Sequence, residues 1–370
     1  MNKKQILFFF IVLLIGFPLL NFFVPIIKSA GLNGSFSIAP DATFSWNKWF
    51  EGTFQDEKNK YWRDNFGFRS DFIRLNNQIQ YTLFGNTNAK DVVAGKEECF
   101  YEKNYIDSYL GKNCLPDSVI DFETRRIKKV QDYFLNQGKS FVYVIATGKA
   151  WVLPEFIPVE MDTIKQISSY EKFLRKFDEY GVKYIDFNGY FARHKKEFNY
   201  PLVTKHGTHW SSYGAAIAMD STIKYLNSQY GLKINPVNVG CNPSDVYNEH
   251  DREVTMAFNL IFPLKTKEKT CHPDLSYDSC ADCVKYRAII SADSYFWEPY
   301  GLRIFQNTLG PFEFWYYNYE SWDNNNEKKP FEKPKLLNSM NQTDIFIMMA
   351  SEMHIECVTG KLIELVDAEQ

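Results

Sequence analysis

The sequence predicts an α/β fold in which a parallel sheet carries helices on both faces, preceded by one apolar segment long enough to cross a membrane. Continuous apolar runs alternate with segments of helical periodicity from about residue 127 onward, and this alternation is typical of a parallel sheet. Near the start, 22 residues at positions 6–27 include one strongly polar member, Asn21, while Pro18 and Pro25 predict a kink or an early end. The composition, 45% hydrophobic and 24% charged, is that of a folded globular chain.

The apolar run near the start is predicted to be an uncleaved membrane anchor covering residues 1–28. As a helix rising about 1.5 Å per residue, it would span a hydrocarbon core of about 30 Å. A cleaved signal peptide is the alternative, but its apolar region is shorter, and a cut after Ala30 would place Lys28 where a small residue is required. Lys3 and Lys4 precede the run and direct that end to the cytoplasm, so the remainder is expected outside.

Residues 29–90 are predicted to form an extracytoplasmic linker and an aromatic-rich helical region, and residues 91–370 the main domain. An Asn-, Asp- and Cys-rich stretch at 230–285 interrupts the alternation, and we interpret it as an insertion. The predicted strands are 141–146, 182–187, 286–291, 312–317 and 344–350. Helices are predicted through 72–83, near 127–137 and 167–177, and from Ser211 or Ser212 toward Leu226.

Seven cysteines are consistent with an oxidising compartment, in which disulfides form. Cys99 and Cys114 flank a short polar loop and are a candidate pair, while Cys357 is the odd one, expected to be buried in the last strand. Four more lie in the insertion: Cys241, Cys271, Cys280 and Cys283. The 271–283 segment also offers zinc-ligand types at close spacing, but we favour disulfides, with the pairing left open.

Two polar clusters carry the candidate chemistry, because ligands of such sheets bind at the carboxyl ends of the strands. One cluster, residues 205–210, precedes a helix, and the other, residues 291–295, directly follows the third strand. Ser294 would lie near helix N-terminal N–H groups, which can stabilise an oxyanion. A serine nucleophile needs a base, and His209 suits that role near neutral pH. A helix cap for Ser294 and a structural role for His209 are the alternatives that the residues alone leave open.

Composition narrows the function classes. The formal net charge of −3 gives nucleic acid no global attraction. No nucleotide-binding glycine loop is present, and the predicted chemistry requires neither cofactor nor metal. Aromatic residues reach 17%. They indicate a phenylalanine-rich core, or alternatively a platform on which sugar rings pack.

Five blocks, in order, resemble one known family. They are residues 62–69 (Trp-Arg-Asp-Asn-Phe-Gly-Phe-Arg), Lys149 followed by Pro-Glu-Phe-Ile-Pro at 154–158, Thr-His-Trp-Ser at 208–211, Ala-Asp-Ser at 292–294, and the last strand ending near Glu352. Together they resemble the SGNH-like periplasmic O-acetyltransferases typified by the alginate-modifying proteins. The resemblance implies an SGNH-hydrolase-like, flavodoxin-like fold, circularly permuted so that the catalytic His209 precedes the nucleophile Ser294.

The sequence departs from the family pattern at the triad acid. Gly207 stands where the family has aspartate, two residues before the histidine, and glycine cannot orient an imidazole. Asp186, at the end of the second predicted strand, is the tentative acid, with a turn cap as the alternative. His206, Trp210 and Tyr295 are the predicted substrate contacts, although an exposed loop position is the alternative for His206.

The resemblance implies an O-acetyltransferase that moves acetyl groups onto hydroxyls of an exported polysaccharide through an acetyl-serine. It also implies a membrane-bound O-acyltransferase partner as acetyl supplier and a location on the inner membrane, with the main domain periplasmic or extracellular. A carbohydrate acetylesterase using the same dyad is one alternative. Another is a non-catalytic glycan-binding or scaffold protein, against which an acidic side chain within hydrogen-bond reach of His209 would count.

Overall fold

The computed structural model describes residues 2–34, 37–161 and 164–369. The chain divides into two compact units. The first comprises Met1–Lys90 together with Thr255–Leu264, and the second comprises Asp91–Val254 together with Lys265–Gln370. Part of the stretch interpreted from sequence as one insertion therefore belongs to the first unit.

The first unit is helical. Its helices are α1 (Lys3–Phe23), α2 (Trp46–Glu51), α3 (Thr53–Asn65) and α4 (Arg69–Phe84). Among the described residues, α1 is the one helix that is long and apolar enough to cross a membrane, with a mean hydropathy of 2.7. Pro18 lies inside this helix, which ends before Pro25.

Beyond residue 90 the chain alternates strands and helices. The strands are β1 (Val92–Ala94), β2 (Phe100–Glu102), β3 (Ser140–Ala146), β4 (Tyr184–Asp186), β5 (Asn238–Ser244), β6 (Thr270–Ser276), β7 (Ala288–Ala292), β8 (Phe312–Tyr316), β9 (Glu320–Asp323), β10 (Lys328–Lys329) and β11 (Ile345–Ser351). The helices are α5 (Lys103–Tyr109), α6 (Asp117–Asn136), α7 (Lys149–Val152), α8 (Ser169–Tyr180), α9 (Phe187–His194), α10 (Ser212–Tyr230), α11 (Glu253–Met256), α12 (Trp297–Gly301), α13 (Ile304–Thr308), α14 (Lys333–Gln342) and α15 (Gly360–Glu369).

A seven-stranded sheet organises the second unit, in the order β10-β9-β8-β7-β11-β3-β4. The five strands from β8 to β4 are parallel, whereas β9 and β10 add an antiparallel hairpin at one edge. The sheet is therefore mixed, and residues 323–329 form the end of this hairpin. Two antiparallel pairs, β1 with β2 and β5 with β6, lie apart from the sheet.

Side chains of the central strands alternate between two hydrophobic clusters, one on each face of the sheet. In β3, Val142 and Val144 pack into one cluster, whereas Phe141 and Tyr143 pack into the other. All seven residues of β3 are buried, which explains the continuous apolar run in the sequence. The predicted α/β architecture with helices on both faces is confirmed.

Four insertion cysteines are paired. One disulfide joins Cys241 of β5 to Cys271 of β6, and the other joins Cys280 to Cys283. Cys99 and Cys114, the candidate pair in the sequence, are both free, and Cys99 is buried. Cys357 follows β11 on the surface rather than lying buried in that strand. Disulfides, rather than a zinc site, account for the four insertion cysteines.

Candidate active site

Ser294 lies in a tight turn at the carboxyl end of β7, and the buried carboxylate of Asp293 holds that turn. Asp293 Oδ1 accepts the backbone N–H of Tyr295 at 2.9 Å, and Asp293 Oδ2 accepts the backbone N–H of Ser351 at 2.7 Å. Because Ser351 ends β11, these bonds tie the serine turn to the neighbouring strand. Ser294 is thereby held half-buried at the sheet edge where ligands of α/β folds bind.

His209 lies in the loop before α10, and the buried ammonium of Lys149 shapes that loop. Lys149 Nζ donates to the carbonyl oxygens of Lys205 and Gly207, each at 2.7 Å. Burial lowers the pKa of Lys149 to about 8. Downstream, Ser211 accepts the backbone N–H of Gly214 at 2.9 Å, which starts α10 as the sequence predicted. The loop that carries His209 is therefore held by Lys149 on one side and by the capped start of α10 on the other.

A chain of hydrogen bonds joins Ser294, His209 and Glu253. His209 Nε2 lies 3.0 Å from Ser294 Oγ, and His209 Nδ1 lies 2.6 Å from Glu253 Oε1. A carboxylate accepts the Nδ1 proton, which leaves Nε2 free to accept from the serine hydroxyl. This is the arrangement of a serine nucleophile, a base and an orienting acid.

The interaction between Glu253 and His209 favours the charged form of the Glu253 carboxylate. Burial opposes ionisation of Glu253, but the attraction and hydrogen bond of His209 outweigh it and lower the pKa of Glu253 to about 2. The same Oε1 accepts the backbone N–H groups of Thr208 at 2.9 Å and of His209 at 3.0 Å. Burial likewise opposes protonation of the imidazole, but Glu253 outweighs it and raises the pKa of His209. Glu253 thus orients His209 and stabilises its protonated form.

The surroundings of Gly207 show why the acid lies elsewhere in the chain. A Cβ at Gly207 would lie 2.9 Å from Thr204 Oγ1, 3.1 Å from the His250 carbonyl and 3.2 Å from the Asp251 carbonyl. A side chain at position 207 would therefore crowd the backbone of residues 250–251. The same segment carries Glu253, the carboxylate that contacts His209.

Asp186 does not contact the histidine, so Glu253 replaces it as the candidate acid. Its Oδ1 accepts the backbone N–H of Gly189 at 2.9 Å, which caps α9. Its Oδ2 accepts the hydroxyl of Tyr170 at 2.8 Å. The turn-cap interpretation of Asp186 is the one that the geometry supports.

The three predicted substrate contacts are buried. Trp210 and Tyr295 are each 1% exposed, and Trp210 Nε1 donates to the Tyr295 carbonyl at 3.1 Å. The Tyr295 ring packs edge-on against the His209 ring, with centroids 4.5 Å apart. His206 is 3% exposed, packs against Phe100, and has its pKa lowered to about 4 by burial. All three side chains are therefore buried in the packing around the histidine loop, and their contact with a substrate stays a prediction.

Two site residues escaped the sequence prediction. Glu253 lies in the insertion, 44 residues after His209, and no motif marks it; the missing acid at Gly207 was the one signal that another carboxylate was needed. Tyr317 follows β8, and its hydroxyl lies near the Ser294 side chain. Burial raises the pKa of Tyr317, so its hydroxyl stays protonated and can donate. Its signal was its place at the end of the fourth predicted strand.

Comparisons with known proteins agree with this architecture. Residues 92–239 match the family described as "SGNH hydrolase-like domain, acetyltransferase AlgX". The match includes His209 and ends before Glu253 and Ser294. No curated protein sequence matches the chain significantly.

Three solved structures are similar to this chain. AlgX of Pseudomonas aeruginosa is 13% identical, with a TM-score of 0.50, covering 75% of this chain and 67% of its own. The O-acetyltransferase domain of Pseudomonas putida AlgJ is 14% identical, with a TM-score of 0.49, covering 75% of this chain and 99% of its own. Bacillus cereus PatB1, in a structure with a sulfonyl adduct, is 10% identical, with a TM-score of 0.44, covering 71% of this chain and 97% of its own.

At 13% identity the likeness to AlgX shows the fold. The family match over residues 92–239 includes β3, β4 and the histidine loop, and it agrees with the resemblance that the sequence predicted.

Proposed function

We propose that this chain transfers acetyl groups onto hydroxyls of an exported polysaccharide through an acetyl-serine at Ser294. The observation that carries the proposal is the hydrogen-bonded chain from Glu253 through His209 to Ser294. An acid beside His209 counts against a non-catalytic scaffold, for which the imidazole would need no orienting carboxylate.

In the first half-reaction, Ser294 Oγ attacks the carbonyl carbon of an acetyl donor while His209 Nε2 takes the hydroxyl proton. The negative charge that develops on the carbonyl oxygen requires donors, and the Ser294 N–H and the Tyr317 hydroxyl are the candidates. His209 then returns the proton to the leaving group, and the acetyl-serine remains.

In the second half-reaction, a sugar hydroxyl attacks the acetyl-serine. His209 takes the proton of that hydroxyl, and the collapse of the tetrahedral intermediate returns it to Ser294 Oγ. The acetylated sugar leaves, and the triad is restored. Water in place of the sugar would give an acetylesterase, because the acceptor is chosen by water exclusion and pocket shape.

The setting of this activity is part of the proposal. We infer that α1 is an uncleaved inner-membrane anchor and that the second unit lies in the periplasm or outside the cell. A membrane-bound O-acyltransferase would supply the acetyl group, as the family resemblance implies. An anchor holds the catalytic unit near such a partner and raises their effective concentration.

The test is acetyl transfer by the full chain in detergent micelles. An activated acetyl ester serves as donor, with and without acceptor oligosaccharides, and intact mass spectrometry detects an acetyl group on the protein. Ser294→Ala is compared with Ser279→Ala, a matched change at an exposed serine. We expect the acetyl-enzyme in wild type and in Ser279→Ala, and its loss in Ser294→Ala. Equal, uncatalysed rates in all three would reject the enzyme proposal, whereas faster turnover with water than with sugar would favour the esterase.

A further inference from the structure

Helix α4 exposes large apolar side chains, while its one buried side chain is polar. Phe72, Leu75, Ile79 and Leu83 recur at helical spacing and are 41%, 47%, 45% and 68% exposed. On the opposite face Asn77 is 9% exposed, and its Nδ2 donates to the Phe258 carbonyl at 2.8 Å. A contiguous stripe of large apolar side chains is unfavourable in water and marks an interaction surface. We call these four residues the apolar stripe.

The apolar stripe continues the surface of α1. The rings of Phe17 and Phe68 stack with centroids 5.3 Å apart. The backbone of Gly67 approaches α1 so closely that a Cβ there would lie 2.2 Å from the Pro18 carbonyl oxygen. An apolar groove of about 550 Å³ runs between the two helices. Its lining includes Phe10, Leu13 and Leu14 of α1 and Phe72 and Leu75 of α4.

The contact with α1 determines how deep α4 would lie in a membrane that α1 crosses. At about 1.5 Å per residue, the 21 residues of α1 reach about 31 Å, the thickness of a hydrocarbon core. Pro18 lies in the last third of α1, so α4 begins where α1 nears the outer boundary. Tyr61 packs against Phe22 at this end, and Trp62 beside it is 50% exposed, as is typical of aromatic side chains at a membrane interface.

We propose that the apolar stripe of α4 contacts the acyl chains of the lipid bilayer that α1 crosses. The inference rests on the anchor proposed above and goes beyond it, because α4 becomes a second point of membrane contact. Lipid that touches Phe10 and Leu14 enters the same groove that Phe72 and Leu75 line, so a bilayer around α1 reaches the stripe without any further partner.

The test uses the full chain in nanodiscs of phosphatidylcholine, a fraction of which carries a diazirine in one acyl chain. Illumination attaches lipid to the side chains that contact acyl chains, and mass spectrometry locates the adducts. We expect adducts in α1 and in the peptide containing residues 72–83. Adducts in α1 without adducts in α4 would overturn the proposal.

A charged variant separates a membrane contact from chance labelling. The double change Leu75→Glu and Ile79→Glu should abolish labelling of α4 and leave labelling of α1, without loss of fold, because both side chains are already about half exposed. Ile164→Glu, at a position 90% exposed in the second unit, is the matched control and should leave both signals unchanged. Persistent α4 labelling in the double variant would refute the proposal. If lipid labels neither α1 nor α4, the proposal that α1 is a membrane anchor is also rejected. Acetyl transfer by Ser294 is measured separately in micelles and does not depend on this result.

Discussion

Replacing Glu253 by glutamine tests the triad at the residue that the sequence did not identify. The change keeps the size of the side chain and its acceptor oxygen but removes the charge. The pKa of Glu253 is about 2 against an ordinary value of 4.5, a difference of about 3 kcal/mol at about 1.4 kcal/mol per pKa unit. Because 31% of the side chain is exposed, solvent screening reduces this to on the order of 2 kcal/mol.

That energy is the most by which Glu253 stabilises the protonated His209 in the transition state, because the backbone N–H groups of Thr208 and His209 contribute to the same shift. Its loss corresponds to a fall of about 30-fold in kcat/KM, and loss of the favoured tautomer would deepen it toward about 10⁴-fold, as is seen for a triad aspartate changed to asparagine. The assay is kcat/KM for an activated acetyl ester across pH. The matched control is Glu249→Gln, an exposed carboxylate on the same segment.

The pH profile separates a catalytic effect from simple damage. Glu253 raises the pKa of His209, so removing its charge lowers that pKa. A base works only when neutral, and the acid limb of the profile should therefore move to lower pH in Glu253→Gln while its plateau falls. A variant within about twofold of wild type, with an unmoved acid limb, would refute the assignment.

Four further changes test the surroundings of the triad. Lys149→Met leaves buried carbonyl oxygens without their donor and should cost about 3 kcal/mol of unfolding free energy in urea. Tyr317→Phe should lower kcat about 10- to 100-fold with an unchanged melting temperature, if its hydroxyl stabilises the oxyanion. Cys271→Ser opens the disulfide between β5 and β6, whose partners are 30 residues apart, and should cost about 3–4 kcal/mol in thermal unfolding under oxidising conditions. Gly207→Asp should lower the melting temperature, since overpacking costs about 1–3 kcal/mol.

The sequence predicted best those strands that are buried on both faces. Runs 141–146 and 344–350 correspond to β3 and β11, whose residues are all buried, so tertiary packing and local pattern agree. The run 182–187 is shorter as a strand, because the Asp186 side chain caps α9 and ends the extended segment there. The edge hairpin was missed because its polar residues are those of a loop, and an edge strand needs no apolar alternation.

For the candidate site, the sequence predicted which segments lie together but not which of their side chains are buried. Strand ends and motif order located Ser294 and His209, since the carboxyl ends of parallel strands meet at one edge of a sheet. Trp210 and Tyr295 flank these residues in the chain, yet both point into the core. The burial of a loop side chain depends on packing against distant parts of the chain. Hydrophobic periodicity predicts burial in helices and strands but not in loops.

Glu253 shows why the position of a residue in the sequence does not by itself identify the acid of a triad. An imidazole needs a carboxylate at Nδ1, and any segment that reaches this atom can supply it. Here a side chain at position 207 would crowd the backbone of residues 250–251, and Glu253 on the same segment lies 2.6 Å from the ring. Its Oε1 additionally accepts two backbone N–H groups of the histidine loop, which connects the loop to the ring. With glycine at position 207, the proposed triad therefore takes its carboxylate from another segment of the chain.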